Sequence, residues 1–273
     1  MAADRHLLKL GGELLEDAAR MRALAGAIAR ASAGRALTVV HGGGREIDAA
    51  LRRAGIEKRQ VEGLRVTDDA TLDIVVEVLA GAVNTRFVAA LCASGARAVG
   101  LTGADASLAI VERAAPHRTV EGAEVDLGRV GVPRGGSAQL LVDLASGGYL
   151  PVVTSLGMDA SGVLYNVNAD TLAADLAARL GAARLVIAGG TAGVLDEHGR
   201  TVETLDGAAV DALIASKVAS AGMVAKLRAC QDALARGVRE VILMDGRDPA
   251  AVEAMLAAAP GSAPGPAVTR VNA

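Results

Sequence analysis

Two lysines and one aspartate stand in settings that suggest chemistry. Lys9 lies near the end of an otherwise apolar run over residues 7–10, just before Gly11-Gly12. Lys226 falls in the first turns of a helix pattern opened by Gly222-Met223. Asp170 follows Asn166-Val167-Asn168-Ala169 and leads into another helix pattern. Moving a phosphoryl group requires its charge to be neutralised, usually by lysines, backbone N–H groups and magnesium. A cation gains nothing from the N-terminal end of a helix, so an anionic ligand is a reason for Lys226 to be there. Each residue also has a plainer reading: Lys9 as an edge lysine, Lys226 as a solvated surface lysine, and Asp170 as a first-turn capping acid.

The glycines around these residues extend the argument. His41-Gly42-Gly43-Gly44 joins the apolar run 36–40 to a helix pattern, and Gly189-Gly190-Thr191 follows the run 184–188. Consecutive glycines turn tightly and bring bare N–H groups close to an anion, and a helix start adds its own unpaired N–H groups. A plain tight turn is the alternative. Arg65 offers a fork that can grip a carboxylate, and Asn166 and Asn168 offer both donors and acceptors. None of the four histidines has a metal-ligand partner at useful spacing, so no zinc site is expected and His41 reads as support for its glycine turn. Neither G-x-x-x-x-G-K-[ST] nor a strand-linked G-x-G-x-x-G occurs, which removes the ordinary P-loop and dinucleotide readings.

Elements that would position these groups follow from the apolar periodicity. Strands are expected at 7–10, 36–40, 97–101, 149–154, 184–188 and 241–244, and helices at 18–33, 45–54, 69–94, 137–146, 170–180 and 222–237, with Pro249 opening a last one. Strand, glycine turn, helix occurs twice near the start, which argues for α/β architecture with a mostly parallel sheet and ligand loops at the carboxyl ends of its strands. Residues 56–67 read as a hairpin or lid. Thr67-Asp68 caps the long helix, whose middle Gly81 and Asn84 weaken. The stretch 108–135 reads as hairpins projecting from the sheet. From Pro260 the tail reads as loose, with a possible edge strand over 268–271.

The 273 residues can hold one large α/β domain or two closely joined lobes. Phe87, Tyr149 and Tyr165 are the only Phe, Tyr or Trp residues, and the net charge is −3. Base stacking and a general field for nucleic acid are thereby excluded. Cys92 and Cys230 form no disulfide framework and read as small buried hydrophobes in helices. No secretory h-region precedes residue 10, and no uncharged apolar run reaches the ~18–20 residues of a membrane span. A soluble cytoplasmic protein with no membrane partner is expected.

Several motifs occur together in one order: Leu8-Lys9-Leu10-Gly11-Gly12, Val40-His41-Gly42-Gly43-Gly44, Gly63-Leu64-Arg65-Val66-Thr67-Asp68, Val99-Gly100-Leu101-Thr102-Gly103, Asn166-Val167-Asn168-Ala169-Asp170, Gly193-Val194-Leu195-Asp196 and Gly222-Met223-Val224-Ala225-Lys226-Leu227. Each is weak alone. Together they cover most of the chain, which resembles the amino-acid kinase superfamily and, within it, the acetylglutamate kinases. The resemblance implies a three-layer αβα sandwich over residues 1–273, with an amino-acid-binding lobe near 1–180 and a nucleotide-binding lobe near 181–273. It implies transfer of the ATP γ-phosphoryl group, with Mg2+, to the side-chain carboxylate of N-acetyl-L-glutamate in arginine biosynthesis. Lys9 and Lys226 would then stabilise the moving group, with Asp170 organising both. Gly12, Gly43 and Gly44 would offer N–H groups, Arg65 and Asn166 would hold the substrate α-carboxylate, and Gly189, Gly190 and Thr191 would face the nucleotide.

Departures from the family pattern keep other readings open. Relatives usually carry Thr-Asp where this chain has Gly189-Gly190-Thr191, so a nucleotide-side hydroxyl and carboxylate are missing. Residues 103–106 differ from the usual Asp-Gly ending, and the tail lacks the usual Gly-Thr finish. The acceptor could be another N-acylated acidic amino acid or carrier-bound aminoadipate, and the third alternative is a catalytically weak regulatory homologue. The first strand starts almost at Met1 and leaves no room for the extra N-terminal helix of arginine-inhibited hexamers. The expected assembly is a homodimer.

Overall fold

The computed structural model describes residues 4–119, 122–215, 221–262 and 267–272. Its first half runs β1 (Arg5–Leu10), α1 (Ala18–Ser32), β2 (Ala36–His41), α2 (Gly44–Arg53) and the hairpin β3 (Gln60–Val61) with β4 (Leu64–Arg65). A helical rod follows, α3 (Asp69–Val76) and α4 (Asn84–Ala93), then β5 (Ala98–Thr102), β6 (Ile110–Arg113), the hairpin β7 (His117–Arg118) with β8 (Glu124–Val125), β9 (Val130–Gly135) and α5 (Gln139–Ser146). The second half comprises β10 (Leu150–Thr154), β11 (Leu156–Met158), β12 (Leu164–Val167), α6 (Ala169–Arg179), β13 (Arg184–Gly189), β14 (Thr204–Leu205), α7 (Gly207–Ala215), α8 (Ala221–Ala235), β15 (Glu240–Asp245), α9 (Pro249–Ala257) and β16 (Val268–Val271).

Eight of the strands form one sheet in the order β14-β16-β15-β13-β1-β2-β10-β5, parallel except where β15 meets β16. The central strands are mostly apolar because helices cover both faces. Alternation along β1 sends Leu8 and Leu10 into one core with Leu24, Ile28, Ile47, Phe87 and Val252. Leu7 faces the other core with Leu141, Leu172, Leu227 and Cys230. Helices α1, α2, α3, α4 and α9 thus lie on one side and α5, α6, α7 and α8 on the other, the expected three layers. Strands from before and after residue 181 share the sheet at the β1–β13 pair. Parallel strands end on one side, so the turns after β1, β2 and β13 meet at one edge of the sheet.

Four expectations need correction. The stretch 108–135 does not simply project from the sheet: β6 and β9 join β11 and β12 in a small closed barrel. Close packing makes it possible, since a Cβ on Gly131 would lie 2.8 Å from Val111 Cγ2 and one on Gly157 would lie 2.6 Å from Val111 Cγ1. The rod is continuous over Asp69–Ala93 but not purely α-helical: at the weakened middle, residues Glu77–Val83 around Gly81 form a π-helical segment. β16 is not the edge, because β14 pairs beyond it. Cys230 is buried, but Cys92 is exposed on α4. Of the tail from Pro260, residues 263–266 and 273 lie outside the described residues. The rod Asp69–Ala93 is long and apolar enough by length and composition to cross a membrane. Its Val75, Leu79, Val83 and Phe87 are nevertheless part of the core against the sheet.

The opposite ends of the strands are tied by charge. Arg184, at the start of β13, is fully buried, pairs with Glu240 of β15 at 2.5 Å and donates to the carbonyls of Met255, Ala258 and Ala259 at 2.7–2.8 Å. The Met255 carbonyl is one that the last turn of α9 leaves open, and Ala258 and Ala259 follow the helix directly. Removing one partner of a buried pair typically costs ~3–5 kcal/mol. Glu240 keeps Arg270 at 2.9 Å, so Arg184→Met is expected to lose about 3 kcal/mol, the lower end of that range, in urea unfolding. A loss under about 1 kcal/mol, the scale of an exposed pair, would contradict this role.

Candidate active site

Two glycine turns build the floor of the site. A Cβ on Gly12, after β1, would lie 2.6 Å from Gly43 Cα and 2.8 Å from Gly43 N, after β2, so the two backbones touch. Gly43 is the N-cap of α2 and gives it no side-chain cap. Nothing lies within 4 Å of a Cβ placed on Gly44, so space remains in front of the helix start. N–H groups left uncapped at such an end are a ready anion site. His41 beneath the turn is fully buried, with Nδ1 3.0 Å from the Gly42 carbonyl and its ring edge-on to Phe87. Burial pushes its pKa down. It supports the turn, as expected.

Lys9 is 6% exposed on β1 and pairs with Asp170 at 2.7 Å. Asp170 is free to do this because Asn168, not Asp170, caps α6, its Oδ1 accepting from the N–H groups of Asp170 and Thr171 at 2.9 and 3.1 Å. The aspartate was expected to organise both lysines, but among the described residues it pairs only with Lys9. Lys226 has no ion pair within 4.0 Å among the described residues. Its Nζ lies 3.2 Å from where a Cβ on Gly189 would stand.

A cavity of about 410 Å³ opens along this edge, lined by Glu13, Gly44, Arg45, Asp48, Gln60, Arg65, Gly190, Thr191 and Lys226. A crevice sharing Thr191 and Lys226 also reaches Gly189. The expected Gly44, Arg65, Gly190, Thr191 and Lys226 therefore come together. Arg65, on β4, is largely committed: it pairs with Asp48 of α2 and donates to the Gly44 carbonyl at 3.2 Å. Its Nη1 is buried without a hydrogen-bond partner. Burial works against the Asp48 carboxylate, but hydrogen bonds and charge from Lys58 and Arg65 outweigh it and hold the carboxyl below its ordinary range. Asn166 does not line the cavity; its Nδ2 donates to Thr67 Oγ1 at 3.2 Å.

Glu13, Arg45, Asp48 and Gln60 line the cavity without having been singled out from the sequence. Asp48 lies one turn into the helix that the glycines open, a position from which an acid can meet the arginine of the next hairpin. Glu13 follows the first glycine pair directly, and its Oε1 accepts from the Gly190 N–H at 2.9 Å. Among the described residues no group of three or more His, Cys, Asp or Glu could hold a metal by itself. A larger cavity, about 510 Å³, lies where β1, β2, β5 and β10 begin and shares none of these residues. Ligands of open parallel sheets bind at the other, carboxyl, ends.

The sequence model of the Amino acid kinase family matches residues 4–245, from β1 to the end of β15. The chain belongs to the amino acid kinase family. An acetylglutamate kinase of Solibacter usitatus is 43% identical over 252 residues, 92% of this chain and 95% of that protein. One of Sphingopyxis alaskensis is 39% identical over 257 residues, covering 92% and 85%, and one of Methanopyrus kandleri is 41% identical over 240 residues, covering 87% and 93%. In fold the chain is similar to N-acetylglutamate synthase from Neisseria gonorrhoeae complexed with coenzyme A and N-acetyl-glutamate (TM-score 0.82, 24% identity), covering 99% of this chain but 59% of that one. Carbamate kinase from Giardia lamblia bound to AMP-PNP shares the fold at TM-score 0.70 and 16% identity, covering 99% of each. The family match includes both glycine turns, Lys9, Asp170 and Lys226.

His41 yields a pH test. Its folded pKa lies below the ordinary 6.5, so the unfolded chain binds the extra proton and stability falls as pH drops below about 6.5. The limiting slope for one such group is about 1.4 kcal/mol per pH unit. His41→Gln is expected to flatten the dependence of unfolding free energy between pH 7 and 5. An unchanged slope would show that the buried ring does not carry it.

Proposed function

We propose that this chain phosphorylates the side-chain carboxylate of N-acetyl-L-glutamate with MgATP, the reaction for which its acetylglutamate kinase relatives are named. One observation carries the reading. A single cavity is lined both by Lys226, whose ammonium has no ion pair among the described residues, and by Arg65, whose buried Nη1 has no hydrogen-bond partner among them. That is a place for two anions, a phosphate and a carboxylate, beside the N–H groups of a helix start.

The step needs no general base, because the acceptor is already a carboxylate. One of its oxygens forms a bond to the γ-phosphorus while the bond from that phosphorus to the β,γ-bridging oxygen breaks, and the electron pair leaves on ADP. Lys9 and Lys226 neutralise charge on the moving group, and Asp170 fixes the direction of Lys9. Gly12, Gly43 and Gly44 offer backbone N–H groups, and Arg65 grips the substrate α-carboxylate. Asn166 acts through Thr67 at the head of α3 rather than by direct contact. The turn Gly189-Gly190-Thr191 faces the nucleotide. Mg2+ arriving with ATP supplies further charge neutralisation on the phosphate oxygens.

The division into an amino-acid side over 1–180 and a nucleotide side over 181–273 belongs to the same proposal. So does a cytoplasmic homodimer, supported by the open edge that β5 leaves on the sheet.

Hydroxylamine trapping of acyl phosphate, with MgATP and a panel of acidic amino acids and their N-acyl derivatives, tests the reading. Product is expected with N-acetyl-L-glutamate. Lys226→Ala should lower kcat by roughly 10²–10³ with little change in KM for the amino acid. Arg65→Ala should chiefly raise that KM, by roughly 10–100-fold. Product with a different acceptor alone would move the substrate, and equal small effects of both substitutions would remove the roles assigned.

A further inference from the structure

Of the two acids that line the cavity, Asp48 is neutralised by Lys58 at 2.6 Å and by Arg65. Glu13 has no cation within 4.0 Å among the described residues. Its Oε1 accepts one backbone hydrogen bond, from Gly190. Its Oε2 has none among the described residues. A carboxylate with no ion pair among the described residues is an unexpected lining for a cavity read as a polyphosphate site, since it would repel that ligand.

Its surroundings are made of glycine. A Cβ on Gly11 would collide with both carboxylate oxygens, one on Gly189 would lie 3.4 Å from Oε1, and one on Gly190 would lie 3.7 Å from Oε1. Three side-chain-free positions on two separate turns therefore leave room for this one side chain. Gly189 is also the residue that Lys226 approaches, at 3.2 Å from the same notional Cβ. A carboxylate and an ammonium thus flank one glycine without pairing to each other. A ligand that seats between them has to present negative charge to Lys226 and positive charge to Glu13. A nucleotide polyphosphate carrying a divalent cation does both.

We propose that Glu13 is the protein's ligand, direct or through one water, for the divalent cation that accompanies the nucleotide, and so a positioning residue for its terminal phosphates. The proposal rests on the kinase reading above. The donor chemistry fits: Mg2+ takes hard oxygen ligands, and is usually held by one or two carboxylates plus substrate phosphates rather than by an all-protein cage. Oε2 is the oxygen available to it. The Gly190 N–H bond orients the carboxylate, as groups behind a metal ligand generally do.

The test measures binding, not turnover. Calorimetry with AMP-PNP, in Mg2+ and in EDTA, gives the ratio of the two affinities for the wild type and for Glu13→Gln. Glutamine keeps an oxygen for the Gly190 N–H, and thermal unfolding checks that the variant is folded. The expected result is a roughly 10–100-fold fall in the Mg2+-to-EDTA affinity ratio, with the metal-free affinity little changed or tighter. In Mn2+ the electron paramagnetic resonance spectrum of the nucleotide-bound ion should change with the same substitution. Equal weakening in both conditions would make Glu13 a structural strut and overturn the proposal. Equal tightening in both would make it a mere repulsive charge, with the same consequence. No change in the ratio overturns it and leaves the kinase reading standing, whereas a wild type that binds no nucleotide in either condition overturns both.

Discussion

A charged ammonium at the end of a strand buried on both faces has to be neutralised where it stands. Lys9 meets that demand through Asp170 at 2.7 Å, and much of the architecture follows from the pair. An ion pair in a low-dielectric interior is held by geometry, because leaving either charge alone there costs several kcal/mol (about 3–5). Helix α6 must therefore start at the carboxyl end of β1, and it must be capped by some residue other than the aspartate. Asn168 does so. A fixed helix start fixes in turn the path of the barrel strand β12, which delivers the chain to it.

The second constraint is that two backbones occupy the space of one side chain. Gly12 and Gly43 lie against each other with no room for a Cβ between them, so the ends of β1 and β2 are closer than side chains would allow. That contact brings the start of α2 toward Lys9 and puts Asp48, one turn further on, within reach of Arg65 from the β3–β4 hairpin. The charges are then sorted in space. Lys9 pairs with Asp170 and Asp48 with Arg65, while Lys226 and Glu13 line the cavity with no ion pair among the described residues.

Features carried by local pattern were legible in the sequence. The strand–glycine–helix units, the cap at Asp68, the start of α9 at Pro249 and the position of Lys9 all express short-range rules, and the structure has each of them. What escaped depends on pairing between distant segments. The reach of Glu13 to Gly190 exists because β1 and β13 are parallel neighbours in one register, which no spacing announces. β11 and β12 are three and four residues long, too short for a periodic signal, so the barrel went unseen. Asn166 sits on one of them and turns to Thr67 instead of the cavity. Cys92 is apolar enough to be buried, yet it falls on the outer face of its helix. In the same way, Asp170 could be placed near a lysine from sequence, but which lysine was a question of three-dimensional distance.

The π-helical segment Glu77–Val83 lies against the glycine floor, with Leu79 Cδ2 and Val83 Cγ2 at 2.9 and 3.4 Å from where a Cβ on Gly43 would stand. Such a segment holds one residue more per turn than the helix on either side of it needs. The rod therefore contains slack in its own numbering. Upstream of the wide turn, residue positions are set by the cap at Asp68; downstream, they are set by the packing of Phe87 and Leu91. Losing a single residue there would let the backbone revert to ordinary α-helix without breaking the rod, whereas the same loss elsewhere would rotate everything beyond it by about 100°. The chain has its tolerance for a change of length next to the point where the backbones of Gly12 and Gly43 touch.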